Sequence, residues 1–174
     1  VSREIAERCA VLLKNEGGVL PLRRGAKAAL IGLFAKEPRY QGGGSSHIHP
    51  YRIAGAAEWM PELPYAQGHT LDDSLDEARI AEAVALAQGC EVAVVFAGLP
   101  EPYESEGRDR AHMRLPENQN ELIRALLSAG KRVAVVLFGG SPVELPFADK
   151  VSAILNMYLP GQAGGRACAN LLFG

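Results

Sequence analysis

The stretch that decides the fold is Val92-Ala-Val-Val-Phe-Ala-Gly98, which is apolar at every position before its closing glycine. Such a run, without polar alternation, is typical of a strand that is buried on both faces of a sheet. Residues 27–32 and 133–138 have the same character and also predict buried strands. Weaker strands are predicted at residues 63–66 and Ala153–Tyr158.

Helical patterns separate these predicted strands. Asp72 and Ser74 offer N-caps for a helix running to about residue 87. A second helix is predicted at residues 117–129, where one helical face carries Leu122, Ile123, Leu126 and Leu127. Further helices are predicted from apolar residues at helical spacing, over residues 5–13, 53–60 and 166–173. Buried strands that alternate with helices predict an α/β fold, a three-layer α/β/α sandwich around a mainly parallel sheet.

Composition narrows the classes of function. A chain of 174 residues suits one domain, and its net charge of -2 gives no electrostatic reason to expect a nucleic acid or membrane partner. No apolar run approaches the roughly 20 residues that span a bilayer. Three scattered cysteines (Cys9, Cys90 and Cys168) predict buried free thiols and a reducing, cytoplasmic compartment rather than a metal site or disulfides.

A charged loop follows the strand at Val92–Gly98. Residues 99–116, here named the acidic loop, hold three glutamates, one aspartate and two arginines between Glu101 and Arg110. A carboxyl group among like charges and partly desolvated has a raised pKa, which is what a general acid requires. Asp109 and Arg110 are expected to pair with each other and hold the loop. The alternative is a solvated, salt-bridged surface loop.

A second polar loop follows the strand at residues 27–32. Residues 41–46, Gln-Gly-Gly-Gly-Ser-Ser, are named here the glycine-serine loop; they fit neither of the phosphate-binding glycine patterns. His47 and His49 follow, without an obvious third ligand, so a metal site is not expected. Tyr103 could stack on a sugar ring, whereas Trp59 is expected to lie in the core.

Six motifs along the chain together resemble the second domain of family 3 glycoside hydrolases, the β-glucosidase and β-xylosidase group. In order they are AVLLKNEGGVLPL at 10–22, YQGGGSS at 40–46, ESEGRDR at 104–110, LPENQ at 115–119, PGQAGG at 160–165 and LLFG at 171–174. The resemblance implies a sandwich of about six strands that packs against a catalytic barrel. It divides the chain into an interdomain helix and linker, 1–22, and a sandwich domain, 23–174, truncated after the last motif.

The resemblance also implies a reaction and its residues. Family 3 enzymes hydrolyse terminal, non-reducing β-linked sugars with retention, using a barrel aspartate as nucleophile and a sandwich-domain glutamate as acid/base. By position that glutamate is Glu106, with Glu104 as the alternative. The candidate substrate-binding residues of the same loops are Tyr103, Arg108, Gly43 and Ser45.

The implied partners are the barrel of the same enzyme and a small saccharide, with no cofactor or metal and with homo-oligomerisation left open. The competing hypothesis is a non-catalytic carbohydrate-binding or domain-docking module. A third hypothesis is a nucleotide-binding α/β protein.

Overall fold

Six strands form one sheet in the computed structural model, which describes all 174 residues. Their order across the sheet is β1-β6-β5-β4-β2-β3, and every neighbouring pair is parallel except β1 and β6. The predicted fold class is therefore confirmed. The strands are β1 (Val11–Asn15), β2 (Ala28–Ile31), β3 (Tyr65–Ala66), β4 (Val92–Gly98), β5 (Arg132–Phe138) and β6 (Ala153–Tyr158).

Four helices cover the two faces of the sheet: α1 (Ser2–Cys9), α2 (Glu77–Gln88), α3 (Glu117–Ser128) and α4 (Gly164–Phe173). Apolar side chains of α1 and α4 join the hydrophobic core on one face, and those of α2 and α3 join the core on the other. None of the helices combines the length and apolar character that a membrane crossing requires.

The central strand β4 explains why its sequence lacks polar alternation. All seven of its residues are buried. Val94 and Phe96 point into the core beneath α1 and α4, whereas Val95 and Ala97 point into the core beneath α2 and α3. Both faces of the strand are thus removed from water, and burying a side chain such as Phe96 stabilises the fold by about 1.5–3 kcal/mol.

The predicted helix over residues 5–13 is wrong beyond Cys9. Ala10 has an extended backbone (φ -67, ψ 146), and β1 then pairs antiparallel with β6 at the edge of the sheet. Hydrogen bonds to a neighbouring strand outweigh the local helical spacing here, a common tertiary override of propensity. β1 is thus part of the sheet, and the division of the chain at residues 22 and 23 stays a prediction.

One expectation about a helix and two about burial are also wrong. The segment 53–60 contains only a short 3₁₀ turn, Ala56–Trp59, and Trp59 is 42% exposed rather than in the core. The guanidinium of Arg166 lies over its indole ring at 4.8 Å, and this cation–π contact favours the ring's position at the surface. All three cysteines are free thiols, but Cys9 is exposed and only Cys168 is buried.

His69 is the one buried histidine of the fold, at 1% exposure. Its Nδ1 lies 3.2 Å from the Thr70 carbonyl oxygen and its Nε2 lies 3.1 Å from the Phe96 carbonyl oxygen. A neutral imidazole donates to one of these and cannot donate to both. Burial lowers the pKa of His69 from its usual 6.5, although the two carbonyl groups oppose the shift.

The fold should therefore lose stability in mild acid. Because the folded-state pKa of His69 is depressed, its contribution is complete above pH 6.5 and is lost as the pH falls toward the folded-state pKa. The free energy of unfolding should drop by at most about 1.4 kcal/mol per pH unit below that point. Urea unfolding between pH 7.5 and 5.5 measures this, with His69→Gln expected to flatten the slope and exposed His112→Gln to leave it unchanged. An equally steep slope in His69→Gln would contradict the assignment.

Candidate active site

Three loops meet at one edge of the sheet because the parallel strands β2, β4 and β5 all end there. They are residues 32–50, the acidic loop and residues 139–142. The first and second pack directly on each other. A Cβ added to Gly43 would lie 3.0 Å from the Glu104 carbonyl oxygen, so a side chain has little room at that position. This edge holds the candidate residues that the sequence analysis identified.

Glu104 is turned inward. Its side chain is 9% exposed, and its Oε2 accepts a hydrogen bond from the Gly140 N–H at 3.0 Å. The same oxygen lies 3.8 Å from Nη2 of Arg39. That guanidinium nitrogen also donates to the Glu104 carbonyl oxygen at 3.3 Å. The carboxylate is therefore engaged within the protein rather than presented to a substrate.

Glu106 is exposed at the rim of the site, and its Oε2 accepts a hydrogen bond from the Ser45 N–H at 2.9 Å. Hydrogen bonding from the Ser45 side chain and then from its backbone lowers the pKa of Glu106. This chain on its own therefore lacks the raised pKa that a general acid requires, and the expectation of such a pKa with a neighbouring domain docked stays a prediction. The physical reason is that the carboxylate is solvated and favoured by donors, with little desolvation to oppose them.

Glycine is required where the glycine-serine loop approaches Glu106. Gly44 has φ +78, a left-handed conformation that L side chains rarely adopt, and an added Cβ would lie 2.6 Å from the Glu106 Cβ. The predicted site residues Gly43, Ser45 and Glu106 are thus brought together. The loop's role here is to pack against the acidic loop and donate an N–H to a carboxylate.

Tyr103 and Arg108 lie apart from that contact. The Tyr103 hydroxyl donates to Oδ2 of Asp73 at 3.3 Å, and its ring packs partly against the core beneath α2 and α3. Burial first, and then the charge of Asp73, raises the pKa of Tyr103. Arg108 is exposed. The expected pairing of Asp109 with Arg110 is not formed, because Arg110 donates instead to the Pro142 carbonyl oxygen at 2.8 Å.

The two loop histidines contribute to a cavity of about 360 Å³ that Arg39 and Glu101 also line. Nε2 of His47 lies 2.9 Å from Oε1 of Glu101, so this imidazole joins the loop of residues 32–50 to the acidic loop. His49 has no ion pair. No group of three or more histidine, cysteine, aspartate or glutamate side chains is arranged to hold a metal ion.

Sequence reasoning gave no role to two residues that shape the site. Gln119 is fully buried; its Oε1 accepts from the Gly98 N–H at 2.8 Å and its Nε2 donates to the Gly98 carbonyl at 3.0 Å. This amide fixes the point at which the acidic loop leaves β4. Arg39 is 7% exposed. Its burial could not be predicted from the sequence, because a lone arginine in a loop is ordinarily exposed to solvent.

An apolar cleft of about 340 Å³ opens beside the loops, lined by residues that include Leu13, Phe138 and Tyr158. Leu13 is 51% exposed and Tyr158 is 41% exposed. Tyr158 also has φ +53, an uncommon conformation for a residue other than glycine. The edge of the sheet that carries the polar loops therefore also carries exposed apolar side chains.

Known proteins share this arrangement of chain and fold. A family model for the glycosyl hydrolase family 3 C-terminal domain matches residues 10–174. Thermostable beta-glucosidase B of Acetivibrio thermocellus is 50% identical over 182 residues, which cover 100% of this chain and 24% of that protein. An exo-alpha-(1->6)-L-arabinopyranosidase of Bifidobacterium longum is 40% identical over 189 residues, covering 100% of this chain and 25% of the relative.

Solved structures agree with these relatives. The GH3 beta-glucosidase of Bifidobacterium adolescentis superposes with a TM-score of 0.93 at 41% identity, over 99% of this chain and 26% of that one. The beta-glucosidase of Listeria innocua in complex with isofagomine gives 0.88 at 31% identity, over 99% of this chain and 24% of that one. This chain thus spans roughly a quarter of the length of these proteins. It belongs to glycosyl hydrolase family 3, as the C-terminal α/β domain of that family.

Proposed function

We propose that this domain supplies the acid/base carboxyl group, Glu106, of a retaining β-glycosidase whose nucleophile lies in another domain. One observation carries the choice of residue. Of the two candidate glutamates, Glu104 is 9% exposed and held by Arg39 and Gly140, whereas Glu106 is exposed at the loop rim. A proton donor has to reach the glycosidic oxygen, so the exposed carboxyl group is the one suited to the task.

In the proposed reaction, Glu106 protonates the departing glycosidic oxygen while a carboxylate of the partner domain attacks the anomeric carbon. Glu106 then removes a proton from the water that releases the sugar from the covalent intermediate. A retaining pair needs its two carboxyl groups about 5–5.5 Å apart. Glu106 lies on a loop that projects beyond the sheet, so a carboxylate of another domain can approach to the distance that a retaining pair requires.

The lowered pKa of Glu106 in this chain means that the partner domain has to raise this pKa as well as supply the nucleophile. A general acid must be protonated near working pH, and desolvation and a nearby negative charge both raise the pKa of a carboxyl group. A docked barrel that covers the rim and brings an aspartate close supplies both effects. We therefore infer that Glu106 becomes a competent acid only in the assembled enzyme.

The proposed partner is the catalytic barrel of the same protein. The matched relatives named as glycosidases are about four times longer than this chain, which leaves ample length for such a domain. The apolar cleft beside Leu13 and Tyr158 offers part of the docking surface. The proposed substrates are saccharides with a terminal, non-reducing β-linked sugar.

A second candidate function is a non-catalytic docking or carbohydrate-binding module. It is favoured by the ionised, Ser45-bound state of Glu106 and by the exposed apolar cleft, since both suit a contact surface. Under this hypothesis the acidic loop holds a neighbouring domain and takes no part in proton transfer.

Azide rescue of Glu106→Ala in the full-length protein separates the two functions. We expect the variant to lose most activity on an activated aryl β-glucoside, and azide to restore turnover and give a β-glycosyl azide, because a small anion can enter the space of the missing carboxylate. Asp109→Ala, an exposed carboxylate of the same loop, is the matched control and should neither lose activity nor respond. The 174-residue chain alone should be inactive. Loss without rescue would favour the docking module.

A further inference from the structure

The ion pair between Arg39 and Glu104 is the most buried pair of charges in the chain. The two side chains are 6% and 9% exposed. Arg39 comes from the loop after β2, and Glu104 comes from the loop after β4. Burial lowers the pKa of Arg39, opposed by the charges of Glu104 and Glu101. The guanidinium is therefore a charge held inside the protein by its carboxylate neighbours.

Glu104 ties all three loops of the site together. Its carboxylate accepts from the Gly140 N–H of the third loop at 3.0 Å and faces Arg39 of the first. Its backbone carbonyl accepts from the same guanidinium at 3.3 Å, so the main chain of the acidic loop is held as well as the side chain. Glu104 lies two residues before Glu106, so fixing the main chain at Glu104 restricts how far the main chain at Glu106 can move.

This pair is a poor device for stability alone. Nε and Nη1 of Arg39 and Oε1 of Glu104 are buried without hydrogen-bond partners, and the closest charged atoms are 3.8 Å apart. Taking two charges out of water is costly, and an apolar pair of similar volume often stabilises a fold at least as well. What the pair does provide is a fixed geometry, because each loop is bound to the same carboxylate.

We propose that Arg39 and Glu104 are positioning residues, which hold the acidic loop so that Glu106 faces the glycosidic oxygen of a bound saccharide. This inference rests on the proposed function of Glu106. A displacement of about 1 Å in a catalytic group can cost about 10²-fold in rate. Release of the loop should therefore slow glycosidic bond cleavage most for substrates whose leaving group needs a proton.

The test uses the full-length protein with Arg39→Met, Glu104→Gln and the double variant. Each is assayed on aryl β-glucosides that span good and poor leaving groups. We expect each single variant to lower kcat/KM, which reports the first bond cleavage, by about 10²-fold for poor leaving groups and by less than about threefold for a dinitrophenyl leaving group. The double variant should be no slower than the slower single, since both break one contact.

Arg52→Met is the matched control, because it removes an exposed arginine that pairs with Glu58 at 2.7 Å and makes no hydrogen bond or ion pair with the three loops. It should leave every substrate unaffected. Arg39→Lys covers the case in which Arg39→Met does not fold: it keeps the charge but loses the guanidinium geometry, and it should lose rate on poor leaving groups alone.

Three outcomes would overturn the inference, each at a different level. A uniform loss on all substrates in Arg39→Lys and Glu104→Gln would mean that the pair only maintains the fold. If Glu106→Gln showed the leaving-group dependence while the Arg39 and Glu104 variants did not, positioning would be rejected and the role of Glu106 kept. If Glu106→Gln itself lacked that dependence, the proposed function would fail first.

Discussion

Glu106→Gln in the full-length protein is expected to slow hydrolysis of alkyl β-glycosides by about 10²–10⁴-fold, the usual contribution of a positioned general acid. An alkoxide leaves poorly without a proton, so such substrates depend most on the missing carboxyl group. A dinitrophenyl glycoside leaves without protonation, and its glycosylation step should change little. The values of kcat/KM for the two substrates, measured at one pH, give the contrast, because this ratio reports the glycosylation step and not the later release of the sugar.

The isosteric amide keeps the size of the side chain and can still face the Ser45 backbone, so misfolding is not the expected cause of any loss. Asp109→Asn makes the same chemical change at an exposed position of the same loop and should leave both substrates unaffected. Near wild-type rates on the alkyl glycoside in Glu106→Gln would instead move the acid/base assignment to Glu104.

Gln119→Leu is expected to destabilise the domain by about 2–6 kcal/mol. The Gln119 amide pairs with both the N–H and the carbonyl of Gly98, and leucine would leave the two backbone groups buried without partners. Each such group costs about 1–3 kcal/mol. Denaturant unfolding of the 174-residue chain, which contains its own sheet and both cores, measures the change.

Gln88→Leu is the matched control, since Gln88 is exposed at the end of α2. It should change the free energy of unfolding by less than about 0.5 kcal/mol, as surface substitutions usually do. Equal stability of the two variants would show that Gly98 finds other partners and that Gln119 does not define the end of β4.

The framework of the fold could be predicted because the local sequences of β2, β4, β5 and β6 identify them as strands without reference to the rest of the chain. Each is a short apolar run, and buried parallel strands permit almost no polar residues. Edge strand β1 was missed because an edge has one exposed side: Leu12 and Leu13 are half exposed, so their spacing fits a helix as well. Only the partner β6, some 140 residues away in sequence, decides between the two.

The candidate site divides in the same way. The pattern of residues 104–110 placed two glutamates on one loop, but whether a side chain points inward depends on what meets it. For Glu104 that is Arg39 and Gly140, which lie far away in sequence. The lowered pKa of Glu106 in this chain on its own could not be predicted for a related reason. Charge density along the chain does not report which backbone N–H group lies against a carboxylate.

The edge position of β1 has a practical consequence for handling this protein. Residues 11–15 close the flank of β6, so a recombinant product starting at residue 23 would expose the main-chain groups of β6 that now pair with Val11, Leu12, Lys14 and Asn15. An open flank of that kind is a template for other chains and favours precipitation. A sample that resists precipitation therefore has to retain β1, which lies in the segment that the family resemblance assigned to an interdomain helix and linker.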